Sequence, residues 1–184
     1  HGDNLDALHR FTIDLLDRRD MTDLLQTIVD RATAMVSARF GTLLLLEDDK
    51  LAARAHTRDV PLLAEASVGR DAGVLAWRAI DSGEAVVLDD YASWPQRRPR
   101  FDPLALRAVA VLPVRLRGTS IGVLELARDE PGRPFTPAET RRGALFAQMA
   151  ALVIDHARVY EDALRQLAER ARAEVALREQ EARL

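Results

Sequence analysis

After Gly143 the chain runs to Leu184 without another glycine or proline. The stretch is preceded by Thr136-Pro137-Ala138-Glu139, which reads as a helix start. The threonine hydroxyl can accept from a free first-turn N–H, proline suits the first helical position, and the glutamate can reach back to the cap. The pattern predicts one uninterrupted helix from Thr136 to Leu184, roughly 70 Å long at ~1.5 Å per residue. A small domain has no use for such a rod in its own core. Rods of this kind join one domain to the next, or one subunit to its twin, so the segment points to transmission rather than catalysis.

The 184 residues are 48% hydrophobic and 30% charged, with a net charge of -3. This fits one globular domain plus an extension. Without a strong basic excess, neither nucleic acid nor an anionic membrane is an expected partner. Cysteine is absent, which excludes disulfides, thiolate catalysis, cysteine-ligated zinc and thioether-linked chromophores. No run approaches ~18 consecutive apolar residues, and no signal peptide is recognisable. A cytoplasmic location is therefore expected. The chain opens at His1-Gly2 and stops inside a charged helical pattern, so it reads as a piece of a longer protein.

Leu5, Leu8, Thr12, Leu15 and Leu16 recur at helical spacing and predict an amphipathic helix over residues 1–19. A second helix follows, with Met21, Leu24, Leu25, Ile28, Ala32, Met35 and Val36 on its apolar face. Phe40 to Leu46 and Leu51 to Thr57 read as a hairpin around Asp48-Asp49-Lys50. Val60 to Arg70 is loop or short strand; Gly73 to Ser82 is a short helix closed by Gly83. Ala85 to Leu88 is a strand. Asp89 to Leu106, with three prolines and little periodicity, is a loop long enough to be functional. Ala108 to Leu116 and Ile121 to Arg128 form a last hairpin around Gly118. Hairpins in mid-chain and helices at the ends imply an α+β fold. Its antiparallel sheet carries the terminal helices on one face, and the short helix and long loop cover the other.

This order, with four local stretches, resembles a GAF domain of the kind found in bacterial sensor histidine kinases. The stretches are Gly73 to Val87, Asp89-Asp90-Tyr91, Ala108 to Val123, and Phe135 to Glu139 followed by Leu145 to Ala150. The resemblance covers roughly residues 20–160, leaving 161–184 as a coiled-coil signalling helix. It implies a GAF/PAS-like fold and a small-molecule-sensing or dimerising module, usually without catalysis. Several chemistries of the family do not fit. Methionine sulfoxide reduction and covalent bilin attachment need cysteine. The Asn-Lys-Phe-Asp-Glu signature of cyclic-nucleotide domains is missing, since the only asparagine is Asn4 and the only lysine Lys50. The stretch Arg97 to Arg107 has no histidine to serve haem, and His56 reads as an ordinary strand residue. His9, His56 and His156 match no metal spacing. No cofactor is expected.

The candidate site is the loop containing Asp90, Tyr91, Trp94 and Arg97, which resembles a recurring pattern of GAF domains in signalling kinases. Tyr91 and Trp94 offer flat apolar surface, and an arginine such as Arg97 or Arg107 can grip a small anion at two points. Two readings of Trp94 stand: a ligand wall, or a plug beneath a loose loop. Glu125 interrupts an apolar strand on the face of Ile121 and Val123. It either lines the pocket or pairs with Arg107.

On the terminal helix, Leu145, Met149, Leu152, His156, Val159 and Ala163 recur in steps of four and three, a heptad seam that then shifts register to Leu164 and Leu167. These residues are the expected homodimer interface, and a solvated single helix is the competing reading. The expectation is a non-catalytic sensor that binds an unidentified small molecule, an anion being one candidate, and signals through a dimeric helix to a downstream domain. The alternative is a ligand-free dimerisation spacer.

Overall fold

The computed structural model describes residues 18–58, 68–71 and 74–184. The expected first helix and most of the Val60–Arg70 segment lie outside them. Helix α1 spans Arg18–Met35, followed by strands β1, Phe40–Glu47, and β2, Lys50–His56. Helix α2 covers Val74–Ser82 and strand β3 Val86–Leu88. Two 3-10 turns, Tyr91–Ser93 and Pro99–Leu104, punctuate the long loop. Strands β4, Val109–Leu116, and β5, Thr119–Ala127, precede helix α3, Pro137–Ala182. Residues Thr22–Val153 form one compact unit, and α3 from Ile154 onward belongs to another.

The five strands make one sheet in the order β2-β1-β5-β4-β3, antiparallel throughout. Each turn has a local cause. Gly83 closes α2 in the left-handed region at φ 68°, as its position predicts. Arg117 and Gly118, both with positive φ, turn β4 into β5, the backbone that a tight two-residue hairpin requires. Val68 bridges Leu51 outside the named strands.

Strand alternation divides the sheet into two faces. Gly41, Leu43, Leu124, Leu126 and Leu112 share one of them, since their cross-strand registers coincide. A Cβ on Gly41 would lie 2.3 Å from Thr33 Oγ1 of α1, and one on Gly143 of α3 would lie 2.4 Å from Leu112 Cδ1. Both helices therefore approach this face so closely that a side chain larger than glycine's would force its neighbour to shift. The opposite face carries Phe40, Leu44, Val111 and Val123, packed with Leu75, Ala76 and Trp77 of α2 and with Tyr91 of the loop. The layering is the one that the order of elements implied. We expect Gly41→Ala to cost about 1–3 kcal/mol, the usual range for overpacking, read as a lower midpoint in urea unfolding with an unchanged slope.

The start of α3 is tied down by a capping box. Glu139 N–H donates to Thr136 Oγ1 at 3.1 Å, and Thr136 N–H donates to Glu139 Oε1 at 3.0 Å. The same Glu139 carboxylate receives the guanidinium of Arg128, which is 2% exposed. Arg128 also donates to the carbonyls of Val36, Ser37, Arg133 and Pro134, and its guanidinium carbon stands 4.1 Å from the centre of the Phe135 ring. One side chain at the end of β5 thus joins the end of α1 to the first turn of α3. Burial raises the pKa of Glu139, but the Thr136 and Arg128 donors outweigh it and hold the carboxyl below its ordinary value.

Candidate functional site

A cavity of about 100 Å³ lies between the sheet and the long loop. Phe40, Thr42, Leu44, Val109, Glu125 and Ala127 contribute its sheet side. They share a face because Thr42 and Glu125 are cross-strand partners, as are Phe40 and Ala127. The loop contributes Tyr91, Trp94, Gln96, Arg98, Phe101, Leu104 and Leu106, and α2 contributes Leu75 and Ala76.

The loop is built around Tyr91. Its ring is buried, its N–H donates to Arg107 O at 2.7 Å, and its hydroxyl accepts from the Arg98 N–H at 2.8 Å. Trp94 is half-buried, with its ring centroid 5.7 Å from that of Tyr91 at a tilt of 52°. Burial pushes the Tyr91 phenol up, so it is neutral at any physiological pH.

The sequence-derived site residues separate into two groups. Tyr91, Trp94 and Glu125 line the cavity, whereas Asp90, Arg97 and Arg107 are absent from its wall. Asp90 caps the first 3-10 turn by accepting from Ala92 N–H at 3.2 Å, and lies 3.5 Å from Arg107. The Ser93 hydroxyl, the Ala92 N–H and Arg107 hold its carboxyl below the ordinary value, against the effect of burial. Arg97 stands 3.7 Å from Asp102. These three residues shape the loop, so the expected arginine wall is not theirs. Arg98, one residue along, takes that place, and among the described residues its guanidinium forms no ion pair. Glu125 has no pairing with Arg107. Among the described residues its carboxyl has neither a hydrogen bond nor an ion pair, and burial raises its pKa to about 7.

Sequence reasoning missed Arg98 and Thr42. Thr42 did carry a signal. It is the one hydroxyl in the apolar run Phe40–Leu46, on the alternate positions of Phe40 and Leu44. His56 is half-buried, with Nδ1 2.9 Å from Thr57 O, and His156 is exposed. Among the described residues no group of three or more His, Asp or Glu could hold a metal.

A GAF domain family model matches residues 18–155. The chain belongs to the GAF domain family. No curated protein matches it, but solved structures do. A GAF domain/HD domain protein from Geobacter sulfurreducens is 21% identical, with a TM-score of 0.69 over 80% of this chain and 98% of that one. The GAF domain of a phosphoenolpyruvate-protein phosphotransferase from Coxiella burnetii is 18% identical, with a TM-score of 0.69 over 86% and 96%. A domain assigned to a two-component sensor histidine kinase protein of Sinorhizobium meliloti 1021 is 16% identical, with a TM-score of 0.62 over 78% and 96%. At these identities the likeness establishes the fold. The GAF fold is a small-molecule-binding signalling module, generally regulatory rather than catalytic. Among the described residues no helix is long and apolar enough to cross a membrane.

Proposed function

We propose that this GAF domain is a non-catalytic sensor. A small molecule enters the cavity behind the Tyr91–Leu106 loop, and its presence is passed along α3 to an output domain such as a histidine kinase. The observation that carries the reading is a continuous link from cavity to helix. Tyr91 N–H donates to Arg107 O, Arg107 N–H donates to Arg128 O, and the Arg128 side chain holds Glu139 in the first turn of α3. On the same strand, Glu125 faces the cavity while Leu126 lies on the other face, beneath Gly143 of α3. A ligand that favours one arrangement of loop and floor acts on α3 through its differential affinity for the two arrangements.

The helix is read as a homodimer seam. Leu145, Met149, Leu152 and Val159 are all about half-exposed or more, as is Leu167 beyond the register shift, and His156 and Ala163 are exposed between them. Large apolar side chains at alternating steps of four and three have the spacing that a second copy of the same helix satisfies. Native mass spectrometry of freshly purified protein should report a dimer and a co-purifying small molecule together. Leu152→Asp should weaken the dimer at least ~10-fold, because it puts a charge into the apolar seam. A strict monomer that no metabolite stabilises against heat would overturn the reading.

A further inference from the structure

We propose that the cavity selects a compact organic ammonium ion, held at the sheet by Glu125 and Thr42. This rests on the reading of the domain as ligand-binding. Thr42 and Glu125 are directly opposed on β1 and β5, which places their Cβ atoms about 4.5–5.5 Å apart on one face. Thr42 is 2% exposed and lines the cavity, and its hydroxyl makes no hydrogen bond among the described residues. The Glu125 carboxyl is likewise without a partner there. The hydroxyl and the carboxyl face the cavity together, beside walls of Phe40, Leu44, Leu75 and Val109. A group that brings several N–H donors and a positive charge satisfies both at once.

Among the described residues, the other ionisable groups on the wall are Tyr91, on the loop, and Arg98. Burial is the cause of the displacement of the Glu125 pKa. Size narrows the class further. The cavity measures about 100 Å³. That is below the ~300–1,000 Å³ of sites for drug-sized ligands. A short aliphatic amine suits this space.

The test compares n-butylammonium, n-butanol and n-butyrate, three probes of nearly equal size, by calorimetric titration and by the Trp94 indole N–H resonance. We expect n-butylammonium to bind tightest and to shift that resonance. Its affinity should be about tenfold higher at pH 8 than at pH 6, because the amine stays protonated while Glu125 ionises between them. Glu125→Gln should weaken binding at least ~10-fold, and the isosteric Thr42→Val should weaken it independently. If butanol or butyrate binds as well as butylammonium, or if Glu125→Gln keeps its affinity, the ammonium assignment falls and the ligand-binding reading stands. If no probe binds the wild-type domain, the ammonium assignment falls as well.

Discussion

Arg128→Met should destabilise the domain by about 3–5 kcal/mol, the usual cost of removing one partner from a buried ionic cluster. The side chain is almost fully buried and serves four backbone carbonyls and one carboxylate. Methionine fills much of the same volume but offers no donor, so the carbonyls at the end of α1 and the Glu139 carboxylate lose their partner together. At roughly 2–4 °C per kcal/mol for a protein of this size, the melting temperature should fall by about 10 °C. Arg128→Lys should rescue only part of the loss, because an ammonium cannot present the planar fork that spans these acceptors. A double-mutant cycle with Glu139→Gln separates the ion pair from the carbonyl contacts. The pH dependence has a fixed sign. The lowered pKa of Glu139 means that the pair contributes above the ordinary carboxylate value and is lost as pH falls through the lowered one. The gap between wild type and Arg128→Met should therefore narrow in acid. Equal stability of the two proteins at neutral pH would remove Arg128 as the tie between sheet and α3.

The layering of the domain was legible because it follows from periodicity. Apolar runs bounded by turn residues gave the hairpins, and Thr136-Pro137-Ala138-Glu139 marked the start of α3 through side-chain chemistry that the structure reproduces bond for bond. Glu125 stood out for the same reason, since a carboxyl within an alternating apolar strand has a defined face. The loop obeys no such period. Its two 3-10 turns set the direction of each side chain through backbone angles that composition does not encode, so the arginine on the cavity wall proved to be Arg98 and not Arg97 or Arg107. Arg128 was illegible for another reason. A charged residue at a strand end reads as solvated, and its burial depends on carbonyls contributed by Val36, Ser37, Arg133 and Pro134, which come together only in the folded chain.

Glu125→Gln should make the ligand-free domain more stable at pH 8 and flatten its stability profile. The half-buried carboxyl, without a partner among the described residues, has an ordinary pKa of 4.5 and one of about 7 in the folded protein, raised by desolvation. Between these values the folded state holds the proton more tightly than the unfolded chain, so wild-type stability falls as pH rises through the window. A shift of this size corresponds to roughly 3 kcal/mol once the group is fully ionised. Glutamine has the same shape and does not titrate. It should melt roughly 5–10 °C above wild type at pH 8 and within a degree or two of it near pH 4.5, measured by thermal unfolding across that range. Tyr91 stays neutral over the window, and among the described residues of the cavity wall Glu125 is the carboxyl that changes state. Coincident profiles would mean that water or a rearranged side chain already satisfies the carboxyl. A gain that builds from pH 4.5 to about 7 would instead mark Glu125 as a group that lowers the stability of the domain, as expected of a functional site.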